Sequence, residues 1–162
     1  MLINILNCFH IQKEIKFDKE YLQEKLDKKF PIKKNLILMK IDLFNPILFL
    51  DNLIEIKINF KVGILKNQYE GILKVKGDLK YSKETSSFYL NDFQIIEIKS
   101  EKLDKEIILK FKNITNKLLN TYFKNYPVYT LDDKDFKHSL AKLILSEIKT
   151  ENDKLIIVLK FV

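Results

Sequence analysis

The sequence predicts an α+β fold in which a curved antiparallel sheet of about four to six strands packs against one long helix. Three long segments, 53–64, 69–81 and 88–99, alternate apolar and polar residues, which is typical of strands with one buried face. Only short polar segments separate them, so consecutive strands are expected to pair in antiparallel fashion. From 101 to 123, apolar residues recur every three or four positions, which indicates a long amphipathic helix.

The two faces of the predicted sheet differ in chemistry. Glu55, Lys57, Asn59 and Lys61 alternate with isoleucine and phenylalanine, so one face is expected to lie in water and the other against the core. Three further strands are predicted at 11–17, 36–44 and 155–162. The apolar face of the central strands comprises Ile54, Ile56, Ile58, Phe60, Leu73 and Val75.

Capping residues set the expected bounds of the helices. Asp18 is a suitable N-cap for a short N-terminal helix that Pro31 ends, because the residue before a proline avoids helical angles. Ser100 is the expected N-cap of the long helix, which would run for about six turns. A shorter C-terminal helix is predicted over 132–148. The inward face of the long helix includes Phe111, Ile114, Leu118 and Tyr122.

Composition indicates one domain. The chain has 162 residues, 46% of them hydrophobic and 31% charged, which is an ordinary globular mixture. With only three glycines and three prolines, it contains no flexible linker. We therefore expect a single domain over 11–162, preceded by an N-terminal segment at 1–10.

The basic charge comes entirely from lysine. The net charge is +7, with 29 basic residues and no arginine among them. Because lysine lacks the bidentate fork that reads guanine and phosphate, and because these lysines are dispersed, no nucleic-acid partner is predicted. The sequence leaves two roles open for these lysines: a solvated surface, or weak attraction to an anionic membrane. A monomer is expected.

The sequence contains no recognisable catalytic or metal-binding motif. Cys8 and His10 are close together, but a zinc site needs four ligands and the only other histidine is His138. Asp132, Asp133 and Asp135 form an acidic cluster, but the central glycine and the distal glutamate of a calcium loop do not follow them. We therefore expect a non-enzymatic protein without cofactor or metal.

The segment 118–131, LLNTYFKNYPVYTL, is unusually rich in aromatic residues. At the junction of a helix and a strand, such rings either brace the junction or face a ligand, and the pattern leaves both roles open. The order of residues in this segment resembles the YceB-like family of bacterial envelope lipoproteins, as do FYLNDFQIIE (88–97) and FDKEYLQEKLDKKF (17–30). The matching residues of the segment are Leu118, Leu119, Asn120, Tyr122, Phe123, Pro127, Val128, Tyr129 and Leu131.

The resemblance implies an architecture similar to tubular lipid-binding (TULIP-like) domains and a location in the bacterial periplasm or envelope. It also implies a lipid-modified cysteine about ten residues before the first helix, which is where Cys8 lies. Asn7 departs from the small residue expected just before such a cysteine, so Cys8 is either a lipid anchor or a free thiol. No signal peptide is recognisable in this chain.

Two functions follow as expectations. The first is binding of a lipid or fatty-acyl chain in a groove between the sheet and the long helix. The alternative is a structural module with a fully packed core that docks another envelope protein. An interior space of a few hundred cubic ångströms would favour the first. The groove would comprise Ile54, Ile56, Ile58, Phe60, Leu73, Val75, Phe111, Ile114, Leu118 and Tyr122.

Overall fold

A computed structural model describes residues 12–51, 53–132 and 143–161. Of these, 59% lie in strands and 20% in helices, so the described chain is mostly β. The prediction of an α+β fold dominated by one long helix is wrong. In chain order the elements are β1 (Gln12–Asp18), α1 (Lys19–Asp27), β2 (Ile32–Asn35), β3 (Met39–Phe49), β4 (Ile54–Ile64), β5 (Asn67–Ser82), β6 (Ser87–Lys99), α2 (Lys105–Phe123), β7 (Pro127–Thr130), β8 (Leu143–Glu151) and β9 (Lys154–Phe161).

The strands form two antiparallel sheets. The larger one has six strands in the order β2-β3-β4-β5-β6-β7 and curls like half of a barrel. The three long strands predicted from alternation are confirmed as β4, β5 and β6. Along β4, the residues Ile54, Ile56, Ile58, Phe60 and Val62 are all buried, none more than 3% exposed. This inner face forms the core, as the alternation predicts.

The smaller sheet has the order β1-β9-β8. Its central strand, β9, is buried along five consecutive residues, 155–159, which fits a continuous apolar run. The predicted C-terminal helix over 132–148 is wrong from Leu143 onward, where β8 begins; 133–142 lie outside the described residues. Asn152 and Asp153 both have positive φ, as a tight hairpin turn requires, and this turn pairs β8 with β9.

The two helices are shorter than predicted. α2 is 19 residues long and starts at Lys105, because Asp104 and not Ser100 caps it: Asp104 Oδ1 accepts a hydrogen bond from the Ile107 amide at 2.9 Å. The Ser100 hydroxyl instead donates to the Glu70 carbonyl. α1 ends at Asp27, three residues before Phe30. In the described ranges, neither helix has the length and apolar character needed to cross a membrane.

Each helix is fastened to the larger sheet by one carboxamide. Gln23 of α1 donates to the Pro46 carbonyl (2.7 Å) and accepts from the Leu48 amide (2.8 Å), next to an irregularity in the pairing of β3 with β4. Asn120 of α2 accepts from the Phe93 amide (2.8 Å) and donates to its carbonyl (3.1 Å). Both side chains satisfy backbone groups that half-buried strands would otherwise leave unpaired.

The first part of the larger sheet also departs from expectation. β2 was not predicted, and the strand predicted at 36–44 begins only at Met39 and continues to Phe49. Residues 36–38 instead form the turn between β2 and β3, in which the Leu36 amide donates to the Met39 carbonyl at 2.7 Å.

Candidate functional site

A partly open cavity of about 140 Å³ lies beneath α1 at one end of the curled sheet. Its walls come from elements that are far apart in sequence, and most of its lining side chains are aliphatic or aromatic. Leu26, Leu48, Ile54, Ile56 and Leu155 are each no more than 4% exposed, so the inner end of the cavity is apolar and shielded from solvent. The main apolar wall residues are Leu22 and Leu26 from α1, Ile54, Ile56 and Leu79 from the sheet, and Leu155 from β9.

The mouth of the cavity is basic and aromatic. Lys25 of α1 and Lys28 and Lys29, which directly follow the helix, line it together with Tyr126 and Pro127 on the other side. The Lys29 ammonium lies 4.0 Å from the centre of the Tyr126 ring, and that tyrosine is 40% exposed. Long lysine side chains of this kind place their carbon stems along apolar surface and their charge in water. The mouth therefore has apolar and aromatic walls and carries positive charge.

The aromatic residues near the end of α2 brace the junction and also form part of the cavity. Phe123 is buried, lines the cavity, and lies 5.1 Å from Phe93 and 6.2 Å from Phe30 between ring centres. The Tyr122 hydroxyl donates to the Lys29 carbonyl at 3.0 Å, which ties the end of α2 to the turn that follows α1. Burial, with a smaller contribution from Tyr126, raises the pKa of Tyr122, so the donating proton is retained.

The predicted groove residues lie mostly away from this cavity. Only Ile54 and Ile56 line it. The Phe60 and Phe111 rings pack against each other with their centres 4.5 Å apart, so the space between α2 and the middle of the sheet is filled. Ile114, Leu118 and Tyr122 are partly buried against the same core. The other fully buried members of the predicted set are Ile58, Leu73 and Val75.

The sequence patterns did not identify the cavity walls that α1, β7 and β9 contribute. One usable signal was present: Leu22 and Leu26 of α1 are four residues apart, and Lys25 and Lys29 follow them by three, with Lys29 just past the end of the helix. Such spacing places Leu22 and Leu26 on one stripe of the helix, facing inward, with Lys25 on the neighbouring stripe. The contribution of Val128 and Leu155 could not be read from spacing, because it depends on how distant strands meet.

Other parts of the described structure offer less defined sites. A wide depression of about 1100 Å³ is open to solvent, and polar residues such as Asn59 and Lys61 line it together with apolar ones such as Phe60 and Ile98. Within the described ranges, no three His, Cys, Asp or Glu side chains are close enough to hold a metal ion. The candidate anchor Cys8 and both histidines lie outside those ranges.

Comparison with known proteins identifies a family. The sequence model described as "protein of unknown function (DUF1439)" matches residues 17–154, which include both helices and the whole of the larger sheet. A comparison with curated proteins finds no significant match. Since the matched region covers most of the chain, the protein belongs to the DUF1439 family.

Proposed function

We propose that this protein is a non-enzymatic binding protein that holds the end of an apolar chain, such as that of a fatty acid or phospholipid, in the cavity beneath α1. The observation that carries the proposal is the cavity itself, a largely apolar space bordered by buried core side chains. A cavity of about 150 Å³ lined by such side chains stays dry and accepts small apolar molecules. A fully packed docking module would have no such space, and the cavity is smaller than the few hundred cubic ångströms expected of a complete groove.

The size and the mouth of the cavity narrow the ligand class. Pockets that enclose a whole ligand measure about 300–1,000 Å³, so a cavity of about 140 Å³ holds only the terminal part of a chain. The remainder would leave between α1 and β7, past Lys25, Lys28 and Lys29. Lys28 is paired with Glu24 at 3.2 Å, but the ammonium groups of Lys25 and Lys29 at that exit favour a negatively charged head group over a neutral one. A single-chain anionic amphiphile therefore suits the site best.

The proposed setting is the bacterial envelope, where such amphiphiles are abundant. This part of the proposal is supported by the resemblance of 118–131 to envelope lipoproteins and not by any contact in the structure. Lipid modification at Cys8 belongs to the same proposal. Mass spectrometry of the protein isolated from its native membrane would detect the added acyl mass on that cysteine.

The binding proposal predicts that Val128→Phe blocks the cavity. Val128 lies half-buried in the wall near the mouth, and the larger ring would occupy space that the chain end needs. We expect the affinity for a fluorescent polyene fatty acid, measured by titration, to fall by about tenfold or more, which corresponds to about 1.4 kcal/mol.

Leu109→Phe is the matched control, since it adds an aromatic ring at an exposed position of α2 outside the cavity lining. Both variants should retain the denaturation midpoint of the wild type to within a small margin. Equal fatty-acid affinity of Val128→Phe and wild type would contradict the proposed location. Failure of the wild type to bind saturably would contradict the function itself.

A further inference from the structure

Two neighbouring hairpin turns form an exposed apolar patch at the end of the larger sheet opposite the cavity. The turn between β2 and β3 contains Leu36, Ile37 and Leu38; Ile37 is fully exposed and Leu38 is 65% exposed. The turn between β4 and β5 contains Leu65, which is 81% exposed. We call these four residues the apolar tip.

Strand register places the two turns side by side. Met39, at the start of β3, pairs with Ile64 at the end of β4, and Lys40 pairs with Gly63. Adjacent strands are about 4.8 Å apart, so the side chains of the two turns belong to one continuous surface. The cavity wall residues Ile54 and Ile56 lie at the other end of β4, about eight residues or more from this tip.

The residues of the apolar tip are unusual for their positions. Hairpin turns normally carry Gly, Asn, Asp or Pro, whereas the Leu36–Met39 turn is apolar throughout. Leu65 has φ 55°, a left-handed conformation that leucine adopts only at a cost in free energy. Runs of three exposed apolar residues are unfavourable in water unless a partner covers them. A partner that removes them from water would account for their presence.

The charge on the two turns and the adjoining strand ends is of one sign, and the nearest acidic residue along β3 is Asp42. The segments 33–40 and 63–68, which include both turns, contain Lys33, Lys34, Lys40 and Lys66 and no acidic residue. All four lysines are at least partly exposed. Apolar side chains at the centre and lysines around them match the structure of an anionic bilayer surface, with acyl chains beneath phosphate groups.

We propose that the apolar tip inserts into the interfacial region of an anionic lipid bilayer, with these four lysines contacting lipid phosphates. The sheet would then stand on the membrane with its cavity at the far end. This inference is independent of the cavity and of any anchor at Cys8, because it depends only on the two turns.

The test uses a single tryptophan, since the chain of 162 residues contains none. In Ile37→Trp, we expect the indole emission to move to shorter wavelength when vesicles of mixed phosphatidylglycerol and phosphatidylcholine are added, and brominated acyl chains to quench it. Leu109→Trp is the matched control, because Leu109 is 60% exposed on α2 and is not part of the tip. Its emission should not change.

Two double variants measure separately how much the apolar tip and the lysines contribute to membrane binding. In vesicle co-sedimentation, Ile37→Asp with Leu38→Asp should lower the partition coefficient by about tenfold or more. Lys33→Gln with Lys34→Gln should lower it by about fivefold per lysine on anionic vesicles and hardly at all on neutral ones. These side chains are exposed, so the denaturation midpoints should stay close to that of the wild type.

Unchanged emission of Ile37→Trp with anionic vesicles would overturn the proposal. So would equal partition of the aspartate variant and the wild type. If sedimentation velocity instead detected a dimer that Ile37→Asp dissociates, the tip would be an interface with a second copy of the chain, and the membrane assignment would be wrong.

Discussion

Replacing Phe111 by alanine is expected to lower the free energy of unfolding by about 3–5 kcal/mol. The Phe111 side chain is fully buried on α2 and packs 4.5 Å from Phe60 between ring centres. Removing the ring loses both its transfer free energy and its contacts, and the surrounding sheet is too well packed to collapse into the space. Guanidinium denaturation, followed by circular dichroism, measures the change.

Leu109→Ala is the control for this substitution, because it shortens an exposed side chain of the same helix. Its free energy of unfolding should lie within about 0.5 kcal/mol of the wild-type value. A loss of less than about 1 kcal/mol in Phe111→Ala would mean that α2 does not pack on the sheet as described. The space between α2 and the sheet would then again be a candidate ligand groove.

The second large effect is expected at Gly71. This residue pairs with Phe60 across β4 and β5, and a Cβ added to it would collide with the Lys99 carbonyl oxygen and lie 2.6 Å from Phe60 Cζ. A backbone oxygen cannot move aside as a flexible side chain can. We expect Gly71→Ala to destabilise the protein by about 3 kcal/mol, at the upper end of overpacking effects. Thermal and denaturant unfolding measure the loss.

Gly63→Ala is an internal control in the same sheet. The nearest atom to its added Cβ is the Lys40 Cβ at 3.9 Å, which is ordinary van der Waals contact, and its φ is not positive. Because alanine restricts the unfolded chain more than glycine, Gly63→Ala should gain about 0.5 kcal/mol. Equal destabilisation by the two substitutions would show that the close packing at Gly71 is not the cause.

The long strands were predictable because their alternation extends over many residues. Over 54–62 in β4 and 73–81 in β5, inward apolar residues or glycine alternate with outward polar residues, and no helical period competes with this pattern. In 143–148 the apolar residues are compatible with a helix as well as with a strand, because Ile144 and Ile148 are four residues apart and Leu143 lies next to Ile144. Pairing with β9 through the Asn152–Asp153 turn decided in favour of the strand. Tertiary pairing therefore overrode a local pattern there.

The candidate site could be predicted only in part. Ile54 and Ile56 were found because alternation marks every inward residue of β4, but that pattern does not show where packing is incomplete. The position of the cavity depends on α1, which Gln23 fastens to β3, and on the last turn of α2. The irregularity of β3 between Phe44 and Ile47 is the local feature at which α1 is fastened. No periodicity in the sequence encodes these long-range contacts.

The most direct test of ligand binding in the cavity is an NMR experiment on protein with ¹³C-labelled isoleucine and leucine methyl groups, titrated with decanoate. We predict intermolecular nuclear Overhauser effects from the terminal methyl of decanoate to Leu26, Ile54 and Leu155, which line the cavity. We predict none to Ile58 and Leu73, which are fully buried in the larger sheet and do not line the cavity. Contacts confined to Ile58 and Leu73, or no contacts at saturating decanoate, would contradict binding in the cavity beneath α1.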